Sequence, residues 1–184
     1  MIVRLFLILQ LLMLPLFANA TDLLAKAETR IPTPAAQPAT QHLPEITQVL
    51  VHKAERRLYL LSDNQTVRVY PISLGNAPVG HKLSEGDSRT PEGDYLLDWR
   101  LADSDFYKSI HISYPSPRDR ELAEAWGLDP GGSIMIHGLP NNAGDLAFAY
   151  AGLDWTDGCI AVSNEDMDEI WELVENGTPI RINP

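Results

Sequence analysis

The stretch from Thr156 to Val162, TDGCIAV, places a cysteine directly after a glycine and before a short apolar run. A second stretch from Ile134 to Gly138, IMIHG, is an apolar run that ends in a histidine beside a glycine. Short apolar runs bounded by glycine are typical of buried strands. The two stretches therefore predict two core strands whose ends carry Cys159 and His137.

The pattern around these two stretches is mainly β. Short apolar segments bounded by turn residues predict six further strands. These segments lie at 49–51, 58–61, 67–71, 95–97, 110–112 and 179–182. Two helices are expected as well, one beginning at Ser116-Pro117 and one that Ser163 caps and Gly177 ends. The sequence therefore predicts a mainly β domain with a few packed helices.

The first twenty residues have the composition of a signal peptide. Arg4 is followed by an apolar run from Leu5 to Phe17, and Ala18-Asn19-Ala20 supplies the small residues that signal peptidase needs. The apolar run is shorter than the roughly 20 residues of a spanning helix, and an uncleaved anchor is the alternative. We therefore expect residues 1–20 to direct export to the periplasm or cell envelope.

The segment that follows differs from both its neighbours. Residues 21–45 are rich in Ala, Thr and Gln and are punctuated by four prolines, which is typical of extended, poorly packed chain. We expect this segment to be a tether. The strands and helices predicted above then place one domain at 46–184, up to the last residue of the sequence.

The composition restricts the partners of the protein. The 184 residues carry a formal net charge of −11, which argues against nucleic acid and against an anionic membrane surface as partners. No zinc motif and no glycine-rich phosphate loop occur in the sequence, so we expect no cofactor and no metal. We also expect the protein to be a monomer.

The sequence contains one cysteine, Cys159, which cannot form an internal disulfide. In an exported protein such a cysteine is intermolecular, buried and inert, or reactive. A thiol with its free pKa of about 8.5 needs a base or a cationic neighbour to attack an amide carbonyl at neutral pH. His137 is the candidate base. The backbone N–H groups of Gly158 and Cys159 are candidates for holding the oxyanion of the tetrahedral intermediate.

The two stretches together resemble the catalytic domain of the L,D-transpeptidase family, also called the YkuD type. The signature of that family is His-Gly, a loop, Ser/Thr-His-Gly-Cys, an apolar residue and a nearby Asn. The matching residues here are His137, Gly138, Thr156, Gly158, Cys159, Ile160 and Asn164. Upstream matches are Lys82 with Gly86-Asp87, the turn at 90–93, and Ser113-Tyr114-Pro115. The resemblance covers about residues 47 to 182 and implies an L,D-transpeptidase-like β-sandwich or mixed sheet.

The resemblance also implies a reaction. Members of the family cut the L,D linkage after the third residue of a peptidoglycan tetrapeptide stem and release D-Ala. The acyl group is held as a thioester and passed to an amine. Cys159 inherits the role of nucleophile, and His137 that of proton donor and acceptor. We expect the Gly158 N–H to bind the oxyanion and the Gly138 carbonyl to orient His137.

The sequence departs from the family pattern at Asp157, where histidine is common, and at Ala161, where arginine is common. A carboxylate beside a thiol raises the pKa of the thiol and attracts ammonium groups. We therefore hypothesise that Asp157 recruits the acceptor amine or fixes the loop. Further substrate-binding candidates are Thr156, Trp155 and Tyr114.

Three functions fit these residues. In the first, a transpeptidase acts on peptidoglycan stems, with a neighbouring stem, a lipoprotein or another amine as acceptor. In the second, water replaces the amine, and the same scaffold acts as a hydrolase on stems or on wall-bound lipoprotein. In the third, the domain is a non-catalytic wall-binding module with an inert cysteine. A sortase also uses histidine before cysteine, but its Thr-Leu-x-Thr-Cys signature is missing.

Overall fold

The structure is a computed structural model that describes residues 44–184. The predicted signal peptide at 1–20 and most of the predicted tether at 21–45 lie outside the described residues. Pro44 and Glu45, the last two tether residues, are exposed and belong to no helix or strand. Across residues 44–184, none of the helices combines the length and the apolar character needed to cross a membrane.

Eight strands, two α-helices and one 3-10 helix make up the described part of the chain. The strands are β1 (Gln48–His52), β2 (Arg57–Ser62), β3 (Gln65–Pro71), β4 (Gly93–Ser104), β5 (Tyr107–Ile112), β6 (Met135–His137), β7 (Ile160–Ala161) and β8 (Thr178–Asn183). The helices are α1 (Pro117–Ala125), the 3-10 helix (Gly144–Tyr150) and α2 (Asn164–Leu173). The prediction of a mainly β domain with a few packed helices is confirmed.

All eight strands belong to one mixed sheet with the order β3-β2-β1-β8-β4-β5-β6-β7. The pairs β1–β8 and β6–β7 are parallel, and the other neighbours are antiparallel. The chain that leaves β3 then returns to the opposite edge, where Ser73 and Ala161 exchange two backbone hydrogen bonds of 2.8 and 2.9 Å. The sheet is therefore curled, and β7 is held between β6 and the segment after β3.

Alternation of apolar and polar residues builds the core of this sheet. Val49 and Val51 of β1 and Ile180 and Ile182 of β8 point inward and are almost fully buried. Helix α2 covers the core, with Met167 among its completely buried residues. The Ser163 hydroxyl accepts a 3.0 Å hydrogen bond from the Asp166 N–H, as expected for the cap of this helix. This packing fixes the position of the turn from β7 into α2.

Two buried lysines hold the long loop between β3 and β4. Lys53 donates from Nζ to the Gly80 carbonyl at 2.7 Å, the Thr90 carbonyl at 2.9 Å and the Glu92 carboxylate at 2.8 Å. Lys82 donates to the Asp87 carboxylate at 2.9 Å. Burial lowers the pKa of Lys53, and the Glu92 carboxylate opposes this change. Because a buried ammonium group is stable only when it is paired, these contacts keep the loop in one conformation.

Candidate active site

The nucleophile and base candidates lie on neighbouring parallel strands. Ile136 of β6 stands opposite Ile160 of β7, and His137 stands opposite Ala161. If the register is extended by one residue toward the start of both strands, Cys159 lies opposite Met135. Because side chains alternate between faces, Cys159 and His137 project from the same face of the sheet, two residues apart along the strands.

Two clefts meet at Cys159. The first, here called the His137 cleft, has a volume of about 480 Å³ and is lined by His137, Trp155 and Cys159 among others. The second, here called the Glu85 cleft, has a volume of about 350 Å³ and is lined by Lys82, Glu85 and Cys159 among others. Ser133 and Asp157 also line both clefts. The thiol is therefore reachable from two directions.

The Cys159 side chain is partly exposed, and its Sγ lies 3.7 Å from the Ser133 carbonyl oxygen. Burial raises the pKa of the thiol, and the charge of Asp157 raises it further. The Met135 N–H and the charge of Lys82 act in the opposite direction on this pKa. Since burial is the largest of these effects, Cys159 rests as a neutral thiol at neutral pH.

His137 is 3% exposed, and its Nδ1 lies 2.6 Å from the Gly138 carbonyl oxygen. A carbonyl oxygen accepts hydrogen bonds, so this contact selects the tautomer with the proton on Nδ1 and leaves Nε2 free to accept a proton. Burial lowers the pKa of His137, and the hydrogen bond to Gly138 opposes this effect. The imidazole is therefore a neutral base, and the Gly138 carbonyl occupies the orienting position expected from the sequence.

The Thr156 hydroxyl organises the backbone of the cysteine loop. Its Oγ1 donates to the Cys159 carbonyl oxygen at 2.7 Å and accepts the Gly158 N–H at 3.2 Å. Thr156 thus already accepts the Gly158 N–H, and the role of this N–H in oxyanion binding stays a prediction. Within residues 44–184 the Cys159 N–H has no hydrogen-bond acceptor. This N–H is the donor that remains available beside the Cys159 sulfur.

Gly158 occupies a position that accepts no side chain. Its φ of +129° lies in the region that favours glycine, and an added Cβ would lie 2.6 Å from the Arg89 carbonyl oxygen. The cysteine loop therefore packs backbone against backbone on the long loop between β3 and β4.

We expect the Gly158→Ala substitution to lower the free energy of unfolding by about 1–3 kcal/mol, the typical cost of a strained backbone conformation. The displaced loop should also slow acylation of Cys159. Thermal unfolding and the rate of acylation measure the two effects. Gly177→Ala is the matched control, because Gly177 also has positive φ but nothing lies within 4 Å of an added Cβ. A Gly158→Ala protein that is as active as the control would contradict the backbone packing described above.

A family model for the L,D-transpeptidase catalytic domain (YkuD) matches residues 46–182. The chain belongs to this family. The match includes both strands that carry the candidate dyad, and the family resemblance inferred from the sequence is confirmed. The mixed curled sheet is accordingly an L,D-transpeptidase fold.

Known proteins similar to this L,D-transpeptidase domain include a relative from Escherichia coli (strain K12), named "Putative L,D-transpeptidase YafK". It is 30% identical over 175 residues, which cover 91% of this chain and 62% of the relative. The chain thus spans less than two thirds of the length of that relative. The crystal structure of the helical cell shape determining protein Pgp2 from Campylobacter jejuni is 26% identical with a TM-score of 0.58. That match covers 76% of this chain and 48% of Pgp2.

A more distant structure shows the fold alone. The L,D-transpeptidase from Xylanimonas cellulosilytica DSM 15894 is 16% identical with a TM-score of 0.50, and the match covers 80% of this chain and 64% of that one.

One substrate-binding candidate of the L,D-transpeptidase domain, Tyr114, lies away from both clefts. Tyr114 is 2% exposed, and its hydroxyl donates to the Pro130 carbonyl oxygen at 3.0 Å. Its ring packs against Tyr95 and His81 in the interior, and it lines neither cleft. Burial raises the pKa of its phenol. Tyr114 therefore supports the loop at Pro130 from the interior, and its role in substrate binding stays a prediction.

The other candidates lie at the site. Trp155 lines the His137 cleft, with its ring centroid 5.7 Å from that of His137. Asp157 is exposed at the junction of the two clefts, 3.5 Å from the Ser88 hydroxyl. Thr156 also lines the His137 cleft, but both of its hydroxyl hydrogen bonds are made to the cysteine loop.

Asn164 has a role that the sequence alone did not reveal. Its Oδ1 accepts the Leu139 N–H at 2.9 Å and would lie 2.6 Å from a Cβ added to Gly138. The Leu139 N–H belongs to the same peptide group as the Gly138 carbonyl that binds His137. A continuous hydrogen-bonded chain therefore runs from His137 through this peptide group to Asn164, and such chains strengthen each bond.

Proposed function

We propose that this domain is a peptidoglycan L,D-transpeptidase that uses Cys159 as nucleophile and His137 as general base and acid. The observation that carries the proposal is the neutral thiol and neutral imidazole in one cleft, with Nδ1 of His137 bound to the Gly138 carbonyl. A thiol of raised pKa attacks only if a base takes its proton during attack. Nε2 of His137 is the nitrogen left to do so.

The proposed reaction has two halves. The Cys159 sulfur attacks the carbonyl of the L,D linkage after the third stem residue, and its proton passes to His137. The C–N bond breaks, His137 returns the proton to the amine of D-Ala, and the acyl group remains as a thioester. An acceptor amine then attacks the thioester and gives a proton to His137, which returns it to the departing sulfur.

The two clefts favour one orientation of the stem. The departing D-Ala amine and the incoming amine both exchange a proton with His137, so both must enter the cleft that His137 lines. The acyl part of the stem then extends through the Glu85 cleft, on the other side of Cys159. Asp157 stands at the junction, where its carboxylate attracts an ammonium group.

We further propose that the protein is exported and acts in the periplasm or cell envelope as a monomer. The support for export is the signal-like sequence of residues 1–20. The proposed acceptors are the amine of a neighbouring stem or of a lipoprotein lysine.

Product analysis tests this proposal. A disaccharide-tetrapeptide is incubated with the protein and an acceptor amine, and the products are separated by mass spectrometry. A transpeptidase yields D-Ala and an amine-linked tripeptide product. A product that is only shortened by D-Ala would assign the domain to hydrolysis. Absence of any acyl-enzyme would overturn both reactions and favour a wall-binding module.

The Asp157→Asn substitution should weaken use of the acceptor by about 2- to 5-fold, the size of an exposed ion pair. Formation of the acyl-enzyme should be unchanged or faster, since removing the negative charge lowers the pKa of Cys159. Single-turnover acylation and product formation at limiting amine separate the two steps. Asp145→Asn is the control, because this exposed carboxylate lies in the 3-10 helix and lines neither cleft. Equal loss of both steps would show that Asp157 fixes the loop instead of recruiting the amine.

A further inference from the structure

We propose that Phe106 is a positioning residue that keeps the imidazole of His137 dry and oriented for proton transfer. The inference rests on the proposed function and deepens it. Phe106 lies at the tip of the hairpin that joins β4 to β5, far from His137 in the sequence.

The Phe106 ring forms one wall around the base. Its centroid lies 4.7 Å from that of His137, with the ring planes at 44°. Trp155 contacts the same imidazole edge-on and lies 6.1 Å from the Phe106 ring. The three rings form a contiguous cluster in the His137 cleft. Phe106 itself is 37% exposed, so its outer side faces solvent while its inner side shields the base.

The backbone of Phe106 also contacts Gly138, the residue that follows His137. The Gly138 N–H donates to the Phe106 carbonyl oxygen at 3.1 Å and also approaches the Lys108 carbonyl at 3.3 Å. Gly138 is the residue whose own carbonyl binds Nδ1 of His137. The hairpin tip therefore fixes both the ring of the base and the backbone that selects its tautomer.

The hairpin tip is itself locked in place. Asn141 donates from its backbone N–H to the Asp105 carbonyl at 3.0 Å and from Nδ2 to the Ser104 carbonyl at 2.8 Å, and its Oδ1 accepts the Tyr107 N–H at 2.9 Å. On the other side, the Tyr107 hydroxyl donates to the Asp168 carboxylate of α2 at 2.9 Å. These bonds fix the backbone of the hairpin tip that carries the Phe106 ring.

Removing the ring should change the ionisation of His137. The ring contributes to the burial that lowers the pKa of His137. Without it, water reaches the imidazole and relieves the desolvation that disfavours its charged form, in a cleft that other titratable groups also line. These groups are Asp105 from the hairpin and Asp157 and Cys159 from the cysteine loop. The two carboxylates favour the imidazolium, so the pKa of His137 should rise.

Three variants test the inference in the full chain. Phe106→Ala removes the ring, and Phe106→Tyr keeps it. Leu101→Ala is the matched control, because Leu101 is 43% exposed and lines the same cleft but belongs to no ring cluster around His137. The rate of Cys159 acylation is measured between about pH 5 and about pH 8, where a histidine base titrates. The His137 ring resonances are titrated by NMR in parallel.

We expect Phe106→Ala to shift the acid limb of the rate profile upward by about one pH unit, which is about a tenfold loss on that limb. The loss near pH 8 should be smaller, Phe106→Tyr should restore the wild-type profile, and Leu101→Ala should leave the limb in place. An equal loss at every pH, or an identical shift in Leu101→Ala, would overturn the inference. If the wild type forms no acyl-enzyme, the proposed function fails, while the NMR titration still decides whether Phe106 sets the ionisation of His137.

Discussion

The Cys159→Ala variant is expected to gain no mass on exposure to a disaccharide-tetrapeptide, whereas the wild type gains the mass of the acyl group left after D-Ala departs. Cys159 is the single cysteine among the 184 residues, so no second thiol can replace it. Acylation should fall by at least about 10⁴-fold, the range seen when an enzyme loses its nucleophile. Intact-protein mass spectrometry measures this loss directly.

A serine at the same position should not restore the reaction. A hydroxyl needs a stronger base than a thiol does, and burial keeps the pKa of His137 below its ordinary value. Cys159→Ser should therefore behave like Cys159→Ala in the mass assay. Ser133→Ala is the control, because the Ser133 side chain is an exposed hydroxyl that lines both clefts. If Ser133→Ala removed the adduct and Cys159→Ala kept it, the proposed nucleophile would be wrong.

The same measurement separates catalysis from the wall-binding alternative. An inert cysteine predicts resistance to alkylation and no adduct with a carbapenem. The structure places Cys159 partly exposed between two clefts, so reagents can reach it. Slow alkylation at neutral pH that accelerates at high pH is expected, because burial raises the pKa of the thiol.

Local patterns were sufficient to predict the existence of the strands and of both α-helices. The alternation in β1 and β8 and the serine cap of α2 are properties of neighbouring residues. Closure of the sheet between Ser73 and Ala161 was not predictable in this way, because that pairing joins residues far apart in the sequence. The local propensity of residues to form strands does not predict which distant strand edges pair.

The candidate site was likewise predictable from the sequence only in part. Cys159 and His137 were identified from two short motifs, and the Gly138 carbonyl from its adjacency to the histidine. The hydrogen bond from the Gly158 N–H to the Thr156 side chain was not predicted, because it depends on the conformation of the loop. Phe106 was missed because its contact with His137 depends on the hairpin tip and carries no motif.

The pKa shifts of Cys159 and His137 decide which form of the proposed mechanism the site favours. Burial raises the pKa of Cys159 and lowers that of His137, so both effects oppose a resting thiolate–imidazolium pair. In the proposed reaction the proton must then move during attack, with His137 as general base. A preformed ion pair would instead need the opposite shifts in both pKa values.

The His137→Gln substitution should slow acylation at neutral pH by roughly 10²–10⁴-fold, the usual contribution of a general base. Glutamine accepts no proton at neutral pH, so the variant reacts through the small fraction of Cys159 that ionises by itself. Below the raised pKa of the thiol, that fraction grows about tenfold with each pH unit. The residual rate of the variant should therefore climb with pH.

The wild type should show a pH dependence of the acylation rate that differs from that of His137→Gln. Its rate requires neutral His137, and because the pKa of His137 is lowered, the rate should hold through neutral pH and fall only below the ordinary histidine range. The deficit of His137→Gln is then largest near neutrality and narrows toward alkaline pH. His52→Gln is the control, because this histidine packs on Tyr59 in the β1–β2 pair and lines neither cleft. Ionisation of the thiol at high pH can replace a missing base, but it cannot replace a missing contact between His137 and the substrate. A deficit that stays constant with pH would therefore mean that His137 orients the substrate without moving a proton.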